Sequence, residues 1–418
     1  MLPKYLLRIT FFLFILPLSA SAQIYKRGIN FDLPQLLEPY YKSAPEIASE
    51  SAVLLDFETG IVLYSKNPNI IIPPASLTKL MTMHLIQKEV DQGRISLDDI
   101  VPIGVESWAI RQPSGSSLMF LEPGQYVTLR EIMLGLAVSS GNDAAVAAAL
   151  FLAPTVEEFV YRMNIEARNM GLIKTSFVEP SGVSEFNFTC ASDFAVFCRE
   201  YLYQHPKSLS EFHSVPEFDY PKSVNVSSAL KDKPGTISQA NRNRLLKTFP
   251  GVDGMKTGYI IESGYNIALT AKRNNTRFIL ILLGAPGNPG GERIRDNDAQ
   301  KLLSWAFDNF RTMQVNTGEI EGVRLWKGKK DRAELKSAEK LIFTIPFDRG
   351  VGTVQYQIWI NEPLIAPLPS DSPVGYMTFF DEFGEIARVQ IVTKEDYQEG
   401  NIFWRIWESI VLFFKNLF

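Results

Sequence analysis

Apolar and polar residues in the first hundred positions follow the spacing of one hairpin and one helix. Two β-branched, apolar runs at 52–57 and 61–64 flank a turn-forming segment and predict antiparallel strands. The run 73–93 starts with two prolines and then repeats apolar residues three and four apart, which predicts an amphipathic helix. Ser76 and Lys79 share one face of that helix, with the serine in its first turn. Unpaired backbone amides and the positive end of the helix dipole would favour a nucleophile there.

Polar turns separate the next predicted helices. One helix starts at Thr128, where Glu131 completes a capping box, and it ends in the polar turn 139–142. A turn of this kind between two apolar helices can present its side chains to a cleft. Other helices are predicted at 143–152, 155–171, 189–203 and 298–313, whereas 205–243 indicates only loops and short strands beside the site.

Strand patterns dominate the second half of the chain. Three apolar runs at 252–258, 265–272 and 277–283 predict adjacent antiparallel strands. From 317 to 393 the pattern changes to short alternating runs separated by glycine or proline, which is typical of a small all-β domain. We therefore expect an α+β catalytic domain over 49–316, with an antiparallel sheet flanked by helices, followed by this β domain.

The N-terminal residues carry a pattern typical of export. Residues 1–22 combine basic residues, an apolar stretch and a small-residue cleavage site, which predicts a secretory signal peptide. An uncleaved anchor is the alternative, although the apolar stretch is shorter than the roughly 20 residues of a membrane span. Residues 23–48 predict an extended segment interrupted by prolines.

The segment 394–418 predicts a linker and a terminal amphipathic helix. Between Asn401 and Phe418, aromatic and aliphatic residues surround a narrow polar stripe that includes Arg405 and Glu408. The segment is too short and too charged to span a membrane easily, and aromatic residues suit the membrane interface. We therefore expect a helix lying in the plane of the membrane surface. A helix docked on the protein body or in a dimer is the alternative.

Composition excludes several function classes. The formal net charge of −4 at pH 7 offers no basic field for nucleic acid, and 46% hydrophobic with 21% charged residues is ordinary for a globular protein. The two cysteines, Cys190 and Cys198, fall on one predicted helix at a separation of about 12 Å, which is too far for a disulfide. Their spacing matches neither a zinc site nor a redox pair, and we expect no metal and no cofactor.

Three short motifs occur in order along the chain. Ser76 and Lys79 form the first, Ser-Gly-Asn at 140–142 the second and Lys-Thr-Gly at 256–258 the third. They fall at a helix start, a helix junction and a strand, respectively. The first motif alone is weak evidence, because a serine three residues before a lysine is common by chance. The ordered trio is typical of penicillin-binding proteins and class A β-lactamases, whose pattern has Asp where this chain has Gly141.

With these motifs the chain resembles the penicillin-binding D-alanyl-D-alanine carboxypeptidases of low molecular mass. The resemblance extends from the motifs to their surroundings at 75–82, 139–144 and 252–259, and it covers about residues 49–316. It implies a fold of the penicillin-binding and serine β-lactamase type. The β domain and the terminal helix also match the usual layout of that family.

The residue types of the first motif fit acyl transfer. None of the three histidines, His84, His205 and His213, falls in a triad pattern, so lysine is the natural base. Ser76 would attack the carbonyl of the penultimate D-alanine while Lys79 takes its proton. This transfer requires a neutral lysine, which burial and a neighbouring cation favour.

The other motif residues have roles in the same reaction. Ser140 would relay a proton to the leaving D-alanine, and Asn142 would hold the base and the substrate amide. Lys256 would supply positive potential, and the Thr257 hydroxyl would bind the terminal carboxylate. Gly258 would leave the strand open to the substrate.

Two further assignments rest on the resemblance. It implies an oxyanion hole made by the backbone amides of Ser76 and Tyr259, and a carboxylate-binding arginine in an Arg-Ile-Arg run, here Arg295. A surface arginine is the alternative for Arg295. The chain departs from the family after Gly258, because 259–263 is bulky where the family has small residues. This bulk would alter specificity or β-lactam affinity without removing a catalytic group.

We therefore expect an exported hydrolase at the outer face of the cytoplasmic membrane. It would be a serine-type D-alanyl-D-alanine carboxypeptidase that acts on peptidoglycan stem pentapeptides and is acylated by β-lactam antibiotics. A serine β-lactamase, a DD-endopeptidase acting on peptidoglycan cross-links and a non-catalytic wall-binding protein are the alternatives. Against the lactamase, no Glu-x-x-Leu-Asn pattern lies between Ser140 and Lys256. The sequence predicts no oligomeric state.

Overall fold

The computed structural model describes residues 43–226, 235–315, 320–347, 355–381 and 384–415. The predicted signal peptide at 1–22 and residues 23–42 of the predicted extended segment lie outside the described residues.

Helices and strands alternate up to about residue 309, and strands predominate after it. The strands are β1 (Ser51–Asp56), β2 (Val62–Lys66), β3 (Ile100–Val101), β4 (Val127–Thr128), β5 (Glu217–Tyr220), β6 (Ile237–Ala240), β7 (Val252–Ile260), β8 (Gly264–Arg273), β9 (Thr276–Ala285), β10 (Phe310–Gln314), β11 (Ile320–Trp326), β12 (Arg332–Ser337), β13 (Ile342–Pro346), β14 (Gln355–Ile360), β15 (Leu364–Ile365), β16 (Pro373–Asp381) and β17 (Gly384–Thr393). The α-helices are α1 (Lys79–Asp91), α2 (Leu129–Leu134), α3 (Asn142–Leu152), α4 (Val156–Asn169), α5 (Ala191–Gln204), α6 (Leu245–Thr248), α7 (Gly291–Asn309) and α8 (Ile402–Lys415).

A five-stranded antiparallel sheet organises the first region. Its order is β2-β1-β9-β8-β7, so β7 lies at one edge. The predicted hairpin of β1 and β2 is confirmed, and so are the three adjacent strands β7, β8 and β9. The edge position of β7 leaves the third motif beside open space rather than beside another strand of this sheet.

The central sheet is covered by helices on both faces. Along β1, Val53 and Leu55 pack into a core with helices α1 to α5, whereas Ala52 and Leu54 pack on the other face against α7. Successive side chains of a strand point to opposite faces, and here both faces are covered. All six residues of β1 are therefore buried.

The predicted amphipathic helix at 73–93 is wrong in two respects. Residues Ala75–Thr78 form a separate 3₁₀ turn, so Ser76 precedes α1 instead of lying in its first turn. Residues 79–87 of α1 are all buried, because the helix runs between the sheet and other helices rather than along the surface. A polar residue in α1 therefore faces protein, and its partners decide what it does.

The predicted helix at 298–313 has different limits in the structure. It begins at Gly291, after Gly290 in the left-handed region at φ 92°, and its first two turns are mainly polar, which hid them from the apolar pattern. It ends before Phe310, because β10 leaves the helix axis and pairs with β13.

The capping box predicted at Thr128 is confirmed. The Thr128 hydroxyl accepts a hydrogen bond from the Glu131 amide, and the Glu131 carboxylate accepts one from the Thr128 amide. After α2 the chain widens into a π-helical turn at Gly135–Ser139 and then turns sharply into α3. The second motif occupies that turn, as the polar pattern predicted.

The second region is all-β. Strands in the order β14-β16-β17-β12-β11-β15 form a six-stranded sheet, and β10 pairs with β13 beside it. Its own core contains Leu335, Phe343, Met377 and Ile391. The predicted fold class, an antiparallel sheet flanked by helices and followed by an all-β region and a terminal helix, is confirmed.

Helix α8 contacts the β region through one narrow side. The Glu408 carboxylate is buried and accepts hydrogen bonds from the Arg324 guanidinium, at 2.8 Å, and from the Lys327 amide. Leu412 is the other buried residue of the helix. Apart from the half-buried Val411, the remaining apolar residues described in α8 are exposed, so the helix is docked through Glu408 and Leu412 and exposes its apolar face.

In the part of the chain that the structure describes, no single helix has the length and apolar composition needed to cross a membrane. Helices α3 and α4 meet those two criteria only as a pair, and the pair is bent by 88°.

Candidate active site

Two close backbone approaches hold the turn that carries Ser76. Ala75 has a φ of 50°, a left-handed conformation that is costly for an alanine and that recurs at functional sites. A methyl group at Gly182 would lie 1.8 Å from the Ala75 carbonyl oxygen, and one at Gly258 would lie 2.8 Å from the Pro74 carbonyl oxygen and 3.1 Å from the Ser76 amide nitrogen. Glycine at both positions therefore lets two other segments pack directly on the turn.

The amine of Lys79 lies beneath Ser76 with three oxygen partners. Its Nζ is 3.1 Å from Ser76 Oγ, donates to Asn142 Oδ1 at 2.7 Å and donates to the Ser181 carbonyl oxygen. The Asn142 amide nitrogen in turn donates to Ser116 Oγ at 3.0 Å, which fixes the orientation of its oxygen toward the lysine. The predicted pair of Ser76 and Lys79 is thus in hydrogen-bonding contact.

Burial lowers the pKa of Lys79 to about 7. The carboxylates of Glu179 and Asp143 oppose this shift, and the guanidinium of Arg242 adds to it. The side chain has no solvent exposure. Near neutral pH a large fraction of this amine is therefore unprotonated and able to accept a proton.

The turn between α2 and α3 presents Ser140 and Asn142 to the same place. Ser140 is in the left-handed region at φ 60°, and the backbone amide of Asn142 donates to the Ser117 carbonyl at 2.8 Å. The buried Asp143 carboxylate accepts from the amides of Met119 and Leu121 at 2.8 and 2.9 Å. These bonds tie the turn to the segment 116–121 and hold the second motif rigidly.

Strand β7 brings the third motif against Ser140. The buried amine of Lys256 donates to Ser140 Oγ at 2.9 Å and to the Thr257 carbonyl at 3.0 Å. Burial lowers the pKa of Lys256, and the neighbouring cations Lys79, Arg242 and Arg295 lower it further. Two lysines, each beside a serine hydroxyl, therefore flank the site.

One cleft of about 570 Å³ collects the predicted residues. Seven of the nine line it: Ser76, Ser140, Asn142, Thr257, Gly258, Tyr259 and Arg295. The other two, Lys79 and Lys256, lie buried beneath it and are bonded to Ser76 and Ser140. The three motifs are distant in sequence and meet only through the fold.

Tyr259 and Arg295, whose predicted roles rest on the family resemblance, each have one close neighbour. The Tyr259 ring is 44% exposed and lies against Tyr265 with ring centroids 4.3 Å apart. Arg295 is buried, and its Nε and Nη2 both donate to Asp296 Oδ1, at 3.0 and 2.6 Å. Its position in the cleft wall, beside Lys256, favours the predicted contact with a carboxylate over the alternative of a surface arginine.

Several residues of the site had no recognisable sequence signal. The Ser181 carbonyl oxygen accepts from Lys79 but is a backbone atom, and the Ser116 hydroxyl accepts from Asn142 but lies in a loop. No motif identifies either group. Arg242 lies in the stretch that the pattern left as loops, although it lines the cleft. Glu179 could have been suspected, because an acid before Pro-Ser-Gly marks a turn; its carboxylate accepts bonds from the amides of Ser181 and Gly182.

The histidines and cysteines lie away from the cleft lining. His205 bridges Asp91, at 2.7 Å, and His84, at 2.9 Å, and His213 bonds the Tyr201 hydroxyl at 2.8 Å. Burial lowers the pKa of His205 to about 4 and that of His213 to about 3. Both cysteines are buried and unpaired. Within the described ranges, no cluster of three or more His, Cys, Asp or Glu side chains is arranged to hold a metal ion.

The sequence profile of the D-alanyl-D-alanine carboxypeptidase family matches residues 39–287. The chain belongs to this family. A second profile, that of the C-terminal domain of penicillin-binding protein 5, matches residues 308–399. The predicted family and its serine-type hydrolase activity on D-alanyl-D-alanine ends are confirmed.

Known relatives resemble the chain over most of its length. The D-alanyl-D-alanine carboxypeptidase DacF of Bacillus subtilis is 34% identical over 86% of this chain and 89% of its own. The structure of penicillin-binding protein 5 from Haemophilus influenzae superposes with a TM-score of 0.76 at 30% identity, covering 85% of this chain and 99% of that one. The ampicillin-bound form of penicillin-binding protein D2 from Listeria monocytogenes has a TM-score of 0.53 at 27% identity over 63% of this chain and 100% of its own.

Proposed function

We propose that the protein removes the terminal D-alanine from peptidoglycan stem pentapeptides through an acyl-enzyme on Ser76. The observation that supports this most directly is the geometry of Lys79, whose buried amine lies 3.1 Å from Ser76 Oγ and has its pKa lowered to about 7. A base with a pKa near the working pH is the most effective kind of general base.

Acylation begins when Ser76 Oγ attacks the carbonyl carbon of the penultimate D-alanine and its proton passes to Lys79 Nζ. The oxyanion that forms is stabilised by the backbone amides of Ser76 and Tyr259. Support for this hole comes from the contact at Gly258, which keeps the backbone of β7 against the Ser76 amide. The substrate carboxylate binds the Thr257 hydroxyl in the positive field of Lys256, Arg295 and Arg242.

The intermediate collapses when the C–N bond to the last D-alanine breaks. The leaving amine takes a proton from the Ser140 hydroxyl, and Ser140 recovers one from Lys79, which thereby passes on the proton it took from Ser76 and becomes neutral again. Lys256, 2.9 Å from Ser140 Oγ, holds that hydroxyl in place. Water then attacks the ester carbonyl and gives its proton to Lys79. The shortened peptide leaves, and the Ser76 hydroxyl is restored.

The same nucleophile supports acylation by β-lactam antibiotics, whose strained amide would occupy the site of the scissile bond. Attack opens the ring but leaves the departing nitrogen tethered to the acyl group. Water is then hindered from completing hydrolysis, so the adduct persists.

The decisive experiment measures D-alanine released from a soluble stem pentapeptide, together with the mass of the protein after exposure to penicillin. The wild type should release D-alanine and gain the mass of one antibiotic, and Ser76→Ala should do neither. A wild-type protein that frees no D-alanine and forms no adduct would refute the proposal. Cleavage of cross-linked dimers in the same assay reports the endopeptidase alternative.

Nitrocefin distinguishes a carboxypeptidase from a β-lactamase. A lactamase needs a group that activates water for fast deacylation. Glu179 is the carboxylate whose charge acts most strongly on Lys79. Its oxygens already accept hydrogen bonds from the amides of Ser181 and Gly182 and from the Asn187 side chain. We therefore expect slow turnover with a trapped adduct, whereas rapid multiple turnover would favour the lactamase.

The proposal includes a location at the outer face of the cytoplasmic membrane. It is supported by the secretion pattern of residues 1–22 and by α8, whose apolar residues are exposed while Glu408 faces the β region. Phe403 is 82% exposed and Phe413 63% exposed on the outward side. An aromatic-rich face of this kind is suited to the headgroup region of a lipid bilayer.

A further inference from the structure

His84 and His205 form the middle of a hydrogen-bond chain that runs between two carboxylates. His84 Nε2 lies 3.0 Å from Glu166 Oε1, and His84 Nδ1 lies 2.9 Å from His205 Nε2. His205 Nδ1 completes the chain at 2.7 Å from Asp91 Oδ2. The chain joins α1, which carries Asp91 and His84, to Glu166 of α4 and to the residue directly after α5. Both histidines are buried, and all four of their ring nitrogens are engaged.

The hydrogen atoms that this chain requires can be counted. Ionised carboxylates only accept hydrogen bonds, so His84 Nε2 and His205 Nδ1 must each carry a hydrogen atom. The bond between the two rings requires a third, on one of the two nitrogens that meet there. Two neutral imidazole rings have only two N–H groups between them. Three hydrogen bonds therefore require one of the two rings to be an imidazolium.

The surroundings place this extra charge on His84. Burial and the charge of His84 lower the pKa of His205 to about 4, so His205 stays neutral near pH 7. The hydrogen bond from His84 is the main cause that lowers the pKa of Glu166 to about 2, and Lys88, at 2.7 Å, adds to it. With an imidazolium at His84, two cations balance the carboxylates of Glu166 and Asp91. Two neutral rings would leave the cluster with a net negative charge.

Two further titratable groups beside the pair stay uncharged at neutral pH. The Tyr201 ring of α5 has its centroid 5.3 Å from that of His205 and 6.3 Å from that of His84. Burial raises the pKa of Tyr201. Its hydroxyl bonds His213, whose pKa burial lowers to about 3. Neither group therefore changes its charge between pH 6 and 8.

We propose that the pair of His84 and His205 retains one extra proton in the folded protein and acts as a pH-sensitive tie between α1, α4 and α5. Loss of this proton as pH rises leaves two hydrogen atoms for three bonds, so one bond opens. The bond to Asp91 opens at the least cost, because that side chain is 57% exposed and water can replace its partner, whereas the Glu166 side chain is 9% exposed. The last turn of the helix that begins with Lys79 is then released from the end of α5.

NMR of the ring nitrogens tests the proton count directly. The chain has three histidines, so long-range ¹H–¹⁵N spectra of protein labelled with ¹⁵N-histidine contain three ring systems, which His205→Gln and His213→Gln assign. At pH 7.5 the wild type should show both nitrogens of His84 protonated and only Nδ1 of His205 protonated. His213 should be neutral at the same pH and serves as the internal reference.

Asp91→Asn removes the need for the third ring hydrogen. The amide can donate to His205 Nδ1 where the carboxylate could only accept, so two neutral rings complete the chain. We therefore expect His84 to be neutral at pH 7.5 in this variant. Asp98→Asn is the matched control, because it removes the same charge from an exposed aspartate outside the chain, and its histidine spectrum should match that of the wild type.

The pH dependence of unfolding gives a second, independent measurement. Above about pH 6.5, where a free histidine has lost its proton, the folded protein holds one proton more than the unfolded chain. Stability is therefore lost as pH rises, and the folding equilibrium constant should fall by up to about tenfold per pH unit relative to that of Asp91→Asn. Urea denaturation at pH 6, 7 and 8 measures this difference, and Asp98→Asn should follow the wild type.

Either of two results overturns the proposal: a wild-type His84 ring that is neutral at pH 7.5, or the same pH dependence of unfolding in the wild type and in Asp91→Asn. The spectrum of the wild type decides the matter by itself if Asp91→Asn does not fold. Neither measurement uses D-alanine release, so both outcomes leave the proposed function untouched.

Discussion

At the scale of single residues, the hydrogen bonds of Lys79 indicate which way its lone pair points. The Asn142 Oδ1 atom and the Ser181 carbonyl oxygen are acceptors only, so each takes one N–H of the amine. A neutral amine has two N–H bonds and one lone pair. With both hydrogens engaged, the lone pair is directed at the Ser76 hydroxyl, which is the orientation a general base requires.

This arrangement predicts a pH dependence for acylation. Because the pKa of Lys79 is about 7, the amine is mostly protonated below pH 7 and mostly neutral above it. The second-order rate of penicillin acylation should therefore rise with pH between about 6 and 8 and then level off. Lys79→Arg places a permanent cation at this position and should lower the rate at least about 100-fold at every pH.

The matched control is Lys88→Arg on the same helix, where the lysine pairs with Glu166 at 2.7 Å. It should retain the wild-type profile. A wild-type rate that does not change between pH 6 and 8 would contradict the role of Lys79 as the base.

At the scale of elements, the nucleophile is positioned by the crowding of three segments. The 3₁₀ turn at Ala75–Thr78, the loop at Gly182 and strand β7 at Gly258 meet backbone to backbone. This packing changes the role expected for Gly258. Its missing side chain makes room for the Ser76 turn, so glycine is required there by the protein itself as well as by the substrate.

The comparison of Gly182→Ala with Gly171→Ala tests this crowding. Both glycines have positive φ, 83° and 76°, but only at Gly182 would the added methyl group collide with other backbone. Gly171→Ala should lower the free energy of unfolding by about 1 kcal/mol, the cost of the backbone conformation. Gly182→Ala should cost more than about 3 kcal/mol, because the clash with Ala75 adds to the same term.

Acylation rates complete that comparison. The folded fraction of Gly182→Ala should react at least about tenfold more slowly with penicillin, because the Ser76 turn is displaced. Gly171→Ala, at the end of α4, should react at the wild-type rate. Equal unfolding free energies for the two variants by urea denaturation would disprove the crowding argument.

At the scale of the whole molecule, α8 is attached by its polar stripe. The buried Glu408 with its two donors gives the helix a fixed orientation on the β region, and Leu412 adds the buried apolar contact. The aromatic and aliphatic residues then form one outward face. The helix is therefore docked on the protein body, as the alternative prediction had it, but through one side only. Its apolar face remains available to a bilayer.

Removing residues 401–418 should release the protein from phospholipid vesicles. The truncated protein should remain in the supernatant after sedimentation and should release D-alanine from a soluble pentapeptide within about twofold of the wild-type rate, because the cleft is untouched. As a control that retains Glu408, Phe403→Gln with Phe413→Gln should also weaken sedimentation, since it removes exposed apolar area. Sedimentation of the truncated protein with the vesicles would disprove the anchoring role.

The sequence by itself determined the chemical groups and most of the elements that carry them. Ser76, Lys79, Ser140 and Lys256 were recognisable because motif spacing is local: the first two motifs lie at the starts of helices, and the third lies within strand β7. The periodicity also predicted the hairpin of β1 and β2, the three adjacent strands β7, β8 and β9, and the β region. It missed the start of α7 because the first turns of that helix carry few apolar residues.

Only the tertiary structure decided how those groups work together. The acceptors that orient Lys79, the charges of Glu179 and Arg242 and the contact between Gly182 and Ala75 join residues far apart in sequence, and a backbone carbonyl has no sequence signature. The same applies to α8, whose polar stripe faces the protein because Arg324 and Lys327 lie opposite Glu408. Local pattern therefore identified the reacting groups, and long-range packing determined their protonation, orientation and surroundings.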